Sequence, residues 1–222
     1  MKRFIRTLLL GILAGIAIAL GGLASLAAKS LPDTTLGPIL GAFIFPTGLI
    51  TVCVIGFFLY TGKIGYAIDE KPKYLLDLLA GYIGNFIGAE FIGYICYAIP
   101  AFRNGSIGAL AYNYSSTKAE TPLLTSFLLA IICGMFVFIA VDIYKRKGGV
   151  LGAIGILLPT AAFVLIGAEH CIANMFYFSA ANALNLNLAL NILVVTIGNS
   201  LGALILRGLI KGAEKLIDKP NA

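Results

Sequence analysis

Six stretches of the chain are apolar over close to twenty residues or more: about Leu8–Ala28, Leu36–Tyr60, Tyr74–Ile99, Pro122–Ile143, Val150–Phe178 and Leu188–Ile210. A helix crosses the hydrocarbon core of a bilayer in about 20 apolar residues. Backbone at that depth must satisfy its own hydrogen bonds, which leaves helices or closed barrels. The period-two alternation of barrel strands is absent, and the stretches are apolar nearly all round, as helices between lipid and protein are. The expected fold is therefore an all-α membrane protein with six transmembrane helices. Charged residues amount to only 12% of the 222, so no soluble domain is expected beside it. The first span follows basic residues and ends in "SLAAKS", which imitates a secretion signal. At 21 residues it exceeds the roughly 7–15 apolar residues of such a signal and reads as a retained helix.

Charge orients the spans. If the amino terminus is inside, the inner segments hold Lys2, Arg3, Arg6, Lys63, Lys71, Lys73, Lys145, Arg146, Lys147, Arg207, Lys211, Lys215 and Lys219, leaving Lys29, Arg103 and Lys118 outside. This positive-inside bias places both termini in the cytoplasm and the protein in the cell membrane, with lipids as neighbours. The net charge of +6 is then a topology signal, with no nucleic-acid partner implied. Cys53, Cys96, Cys133 and Cys171 fall in separate spans without metal or disulfide spacing. The longest external segment, about 100–121, is rich in Ser, Asn and Tyr and is expected to hold a short helix at most.

Two phrases recur at nearly one offset. "IGNFIGA" begins at Ile83 and "IGNSLGA" at Ile197, 114 positions later, while Pro46-Thr47 and Pro159-Thr160 are 113 apart. Common packing glycines explain the first phrase alone, but two landmarks with one offset indicate duplication. Each half holds three helices, so the halves cross the membrane in opposite senses, as inverted repeats of about 1–112 and 113–222 in a single transmembrane channel domain. Folds of this kind place a substrate path between the repeats, at interrupted helices. The second and fifth spans run into "GFFLYTGKIG" and "IGAEHCIAN", where Gly56, Gly62 and Gly65 bracket Thr61 and Gly167 precedes Glu169, His170 and Asn174. Irregular backbone at this depth survives inside protein or against a water-filled cavity.

His170 is the only histidine. An ionisable side chain within a span is costly and points to function, and imidazole changes charge near neutral pH. The plainer alternative is a core histidine satisfied by a carbonyl. On a continuous helix, Glu169 would lie about 100° from His170 and need not share its cavity. Glu90, inside the third span, is expected as a neutral carboxyl buried at a helix interface.

"GAEHCIANMF" resembles the second-half motif of the formate/nitrite transporter family, and the resemblance covers nearly the whole chain. "GFFLYTG" resembles the family's first broken loop, "LLLGILAGIAIALGG" its first helix and "TIGNSLGALI" its sixth. The resemblance implies a homopentamer of aquaporin-like channels for small monovalent anions or their conjugate acids, without cofactor or metal. It makes His170 the central pore residue, faced by Thr61 from the other half, and Lys118 the lysine that attracts anions. Phe45 and Phe163 would form one apolar constriction; Leu49, Leu59 and Tyr60 would form the other. For Phe45, Leu49 and Phe163, lipid-facing or core packing is the alternative. Three departures accompany the resemblance. The segment from Thr61 to Asn85 is about six residues shorter than the family's, Glu90 replaces an apolar residue, and Gly134 replaces an Asn that holds the loop Thr. Thr61 is then expected to find another partner, Asn199, with Asn174 a further supporting polar group.

The function implied is a proton-linked channel for formate, nitrite or hydrosulfide. A bare anion stalls at apolar rings, and a proton supplied through His170 yields a neutral acid that crosses. A neutral-solute pore is the alternative in the same fold, although twin NPA signatures are missing. A membrane assembly subunit is another. An embedded enzyme is disfavoured by the lack of HExxH, a Cys/His metal set or a Ser-His-Asp constellation.

Overall fold

A computed structural model describes residues 1–217, and the regular elements among them are all helical. Lys219, counted above for topology, lies outside the described residues. In chain order the helices are α1 (Lys2–Lys29), α2 (Leu36–Ile44), α3 (Pro46–Ile55), α4 (Tyr60–Lys63), a 3₁₀ segment (Ile64–Ile68), α5 (Tyr74–Ala98), α6 (Pro100–Arg103), α7 (Ser106–Glu120), α8 (Leu123–Lys147), α9 (Gly149–Leu165), α10 (Cys171–Ala180) and α11 (Leu186–Ile217). Among the described residues, five segments are long and apolar enough to cross a membrane: α1, α2 with α3, α5, α8 and α11. The remaining expected span, 150–178, is divided between α9 and α10. Exposed leucines such as Leu75, Leu79, Leu124 and Leu193 lie on outward helix faces and suit lipid rather than water. The chain is a multi-pass membrane protein.

Both recurring phrases do the same mechanical work. Gly84 and Gly88 of α5 lie against the backbone of α1 at Leu8, Gly11, Ile12 and Ile16, so that any Cβ would collide with it. Gly198 and Gly202 of α11 lie in the same way against α8 at Phe127, Ala130, Ile131 and Met135. Small residues allow such close backbone approach in membrane bundles. The two Pro-Thr landmarks differ in their setting: Pro46 opens α3, where no N–H is needed, whereas Pro159 sits inside α9.

One expectation needs correcting. The segment about 100–121 carries the 15-residue α7 as well as the short α6. Its polar composition concealed a packing face, since Gly108, Ala111 and Ser115 are buried and Ser115 Oγ donates to the Tyr177 carbonyl of α10 at 3.2 Å. Tertiary packing overrides weak intrinsic propensity here. The start of α1 and the end of α11 meet one face of the bundle. Arg3 pairs with Asp77 at the start of α5, while Arg207 and Lys211 near the end of α11 both reach Asp69, at 2.5 and 3.0 Å.

Candidate functional site

Two interruptions create the site. The first begins at Gly56, whose φ of 85° is left-handed, and ends at extended Leu59, after which α4 starts. The second begins at Gly167, with φ 69°, and ends at extended His170, after which α10 starts. Glycine adopts this backbone without steric cost. Each interruption leaves peptide groups without helical partners at membrane depth, and one asparagine answers for each. Asn85 Oδ1 accepts the Tyr60 N–H at 2.8 Å, and its Nδ2 donates to the Phe58 and Gly11 carbonyls at 2.8 and 2.9 Å. Asn199 Oδ1 accepts the Cys171 N–H at 3.0 Å, and its Nδ2 donates to the Glu169 and Ala130 carbonyls, both at 2.8 Å. These are the asparagines of the two recurring phrases.

The expected link between Asn199 and Thr61 is therefore not made, because both ends of the Asn199 amide serve the second interruption. Thr61 finds His170 instead: its Oγ1 lies 3.0 Å from Nε2, and both residues are buried. His170 also caps α10, since its Nδ1 accepts the Ala173 N–H at 3.2 Å. A neutral imidazole carries one proton. With Nδ1 accepting, that proton is on Nε2, and His170 donates to Thr61. Gly134 has its own reason to be glycine, because a Cβ there would strike the Asn199 backbone.

The pair stands in a partition between two vestibules. The first, about 390 Å³, is lined by Lys29, Phe45, Tyr114, Lys118, Phe163, Glu169, His170, Asn174 and Tyr177 among others. The second, about 440 Å³, opens on the face where the start of α1 and the end of α11 lie, and its lining includes Val52, Leu59, Gly62, Lys63, Glu70, Tyr74 and Lys145. Phe45 meets Phe163 edge-on at 5.7 Å between centroids, and Phe163 stacks on His170 at 6.0 Å. Leu49 and Leu59 are buried; Leu59 lines the second vestibule and Leu49 lines neither. Tyr60 opens α4, directly after Leu59. Its hydroxyl bonds Ser200 Oγ at 2.9 Å and its ring packs edge-on to Tyr82 at 5.0 Å, so it too lines neither vestibule.

Lys118 lines the first vestibule, and its charge is paired. Nζ contacts both carboxylate oxygens of Glu169 at 2.7 and 2.6 Å, and Asn174 Nδ2 donates to the same carboxylate at 2.6 Å. Asn174 continues to Asn191 Oδ1 at 2.9 Å, and Asn191 to Ser126 Oγ at 3.3 Å. Glu169 thus shares the cavity with His170, because extended backbone at 170 removes the helical offset that would have separated them. Glu169, Asn85 and Lys29 are the site residues that sequence reasoning missed. The recurring Ile-Gly-Asn phrase was the available signal for Asn85; nothing in the spacing marks a contact between residues 51 apart in the chain. Glu90 is buried in α5 with Oε1 unpartnered, away from both vestibules.

Two cavities meeting from opposite sides at a narrow apolar wall, held by paired helix interruptions, define a membrane permeation protein rather than an enzyme cleft. The sequence profile described as Formate/nitrite transporter matches residues 1–212, and the chain belongs to that family. It is 34% identical over 218 residues to the formate channel BtFdhC of Bacillus thuringiensis, covering 88% of this chain and 81% of that protein. It is 24% identical to the nitrite transporter NirC of Escherichia coli (strain K12), over 89% of this chain and 79% of the relative. Among solved structures, a pentameric formate channel with formate bound matches with a TM-score of 0.84 at 24% identity, covering 97% of this chain and 98% of that one.

Proposed function

We propose that this protein is a proton-linked channel of the cytoplasmic membrane for a small monovalent weak acid, with formate, nitrite and hydrosulfide as the candidates. The observation that carries this reading is the buried His170–Thr61 bond in an apolar partition between two vestibules. The formate and nitrite relatives support the substrate class. By likeness to the pentameric channel, five copies assemble, each with its own pore. The basic-residue bias puts both termini in the cytoplasm, which makes the Lys118 vestibule the outer one. The matching Asn85 and Asn199 bond sets support an origin by inverted duplication.

An anion entering the partition would lose its hydration against Phe45, Phe163, Leu49 and Leu59, a cost that excludes rapid passage. Combining with one proton gives a neutral acid that crosses and releases the proton on the far side. In a relay, His170 would pass the Nε2 proton to the anion while Nδ1 took up another, and Nδ1 would have to release the Ala173 N–H. That bond favours a second reading, in which the anion takes its proton from vestibule water and neutral His170 only donates a hydrogen bond to the passing acid.

Uptake by proteoliposomes tests the function directly. Formate, nitrite or hydrosulfide should enter faster as external pH falls, with one proton per anion. Entry of glycerol with no acid-linked uptake would identify a neutral-solute pore. A folded assembly that passes none of these would be a non-transporting subunit.

A further inference from the structure

Drawing an anion into a vestibule requires a cation whose charge is not already cancelled. The outer vestibule holds two lysines in contrasting circumstances. Lys118 is bound to Glu169 through both carboxylate oxygens, so the pair is neutral overall. Lys29, at the end of α1, makes no salt bridge among the described residues. The acidic residues near it in the chain and on α7, Asp33 and Glu120, are exposed and line neither vestibule, and Asp33 already accepts the Thr35 and Leu36 N–H groups.

The fold holds Lys29 in place rather than leaving it loose. Its stem runs over Gly41 of α2, where a Cβ would stand 2.5 Å from Lys29 Cγ and 3.0 Å from Cε. Its ammonium lies 5.4 Å from the centroid of Tyr114, which packs edge-on to Tyr177 at 5.6 Å. Both tyrosines line the vestibule. An aromatic face attracts a cation without neutralising it, so the field of Lys29 remains available to an anion. A half-buried charge beside low-dielectric walls is also screened less by salt than one in open solvent.

We infer that Lys29, and not Lys118, is the cation that concentrates the permeant anion in the outer vestibule, while Lys118 is half of a neutral pair that braces the second interruption. The use of that anion rests on the channel reading above; the potential itself does not. Thr125 lines the same vestibule and is exposed. Thr125→Cys in a Cys53→Ser background gives a reporter thiol, the other three cysteines being buried. Its reaction rates with a sulfonate-bearing and a trimethylammonium-bearing methanethiosulfonate form a ratio that cancels thiol reactivity and reads the local potential.

At low ionic strength the anionic-to-cationic ratio should fall on the order of tenfold in Lys29→Met, within the range by which charged clefts concentrate counter-ions. The fall should shrink in high salt, and Lys29→Arg should restore the ratio. The double variant Lys118→Met/Glu169→Gln should keep the wild-type ratio. An unchanged ratio in Lys29→Met, or a loss in the double variant matching it, overturns the assignment. If Lys29→Met does not fold, Lys29→Gln gives the same reading. Formate uptake is measured on the same proteins, and Lys29→Met should slow it most at low formate. A wild type that moves none of formate, nitrite and hydrosulfide counts against the channel, and the thiol ratio still decides on Lys29.

Discussion

The two interruptions share a frame and differ in what they carry. Each runs from a left-handed glycine, 56 or 167, to an extended residue, Leu59 or His170, that opens a new helix. Each is tied down by an asparagine bonding a peptide N–H and carbonyl on either side of the extended residue. Yet apolar Leu59 stands where the second half has the only histidine, and the first half sends Thr61 across to meet it, 109 residues away in the chain. Beyond the interruptions the difference grows. α10 runs for ten residues, every one buried, whereas α4 has four and continues as a 3₁₀ segment. A repeated backbone solution thus supports an unequal division of labour: one half holds the chemistry, and the other completes the wall.

If the asparagines carry the frame, replacing them should give the largest effects. Asn199→Ala leaves two fully buried backbone groups, the Cys171 N–H and the Glu169 carbonyl, without partners, since the Ala130 carbonyl lies within α8; the matching two bonds to Asn85 are only partly buried. An orphaned buried group costs about 1–3 kcal/mol. Asn199→Ala should therefore destabilise by about 2 kcal/mol or more, and Asn85→Ala by less. Thermal unfolding in detergent, following loss of the assembled form, ranks the two. Equal losses would mean that the interruptions are equivalent after all.

Next in size are changes at His170, which tie function to the α10 cap. His170→Asn keeps a side-chain oxygen for the Ala173 N–H, and asparagine is a good helix cap. It should fold nearly as the wild type does. His170→Phe loses the cap and should cost about 1 kcal/mol of stability. Flux per folded protein at two pH values then separates the two mechanisms. A relay through His170 loses acid-linked flux in both variants. Protonation by vestibule water leaves acid-linked flux in His170→Asn and lowers it in His170→Phe, where the donor at position 170 is gone.

Much of this frame was legible in the chain. Apolar length marked the spans, and glycines beside Thr61 and His170 marked the interruptions, because both signals are local. Family resemblance added the meeting of Thr61 and His170, which the structure makes. What was not legible depended on long-range geometry. Glu169 looked separated from His170 only while the backbone was taken as helical, and its pairing with Lys118 left that lysine without a free charge. The contacts of Tyr60 with Ser200 and Tyr82 join distant parts of the chain, and no local pattern marks them. α7 was missed because its glycine, alanine and serine face is weakly helical until it packs.

The smallest effect concerns what secures the shorter half-helix. Asp69 ends the 3₁₀ segment and binds Arg207 and Lys211 of α11, while Lys211 also donates to the Ile68 carbonyl at 2.7 Å. α10 itself carries no charged residue, and all ten of its residues are buried. The hydrogen bond from Arg207, aided by Lys211, holds the Asp69 carboxyl below its ordinary value. A depressed pKa of this kind contributes stability that is fully present above the unfolded pKa of about 3.9 and is lost as pH falls through the folded value. Asp69→Asn should accordingly cost about 0.5–1 kcal/mol at pH 7, the scale of near-surface ion pairs, and the gap from wild type should narrow on acidification toward pH 3. Hydrogen exchange should accelerate at residues 64–68 and leave 171–180 unchanged. Equal acceleration in both segments, or a gap that ignores pH, would show that Asp69 does not secure the first half alone.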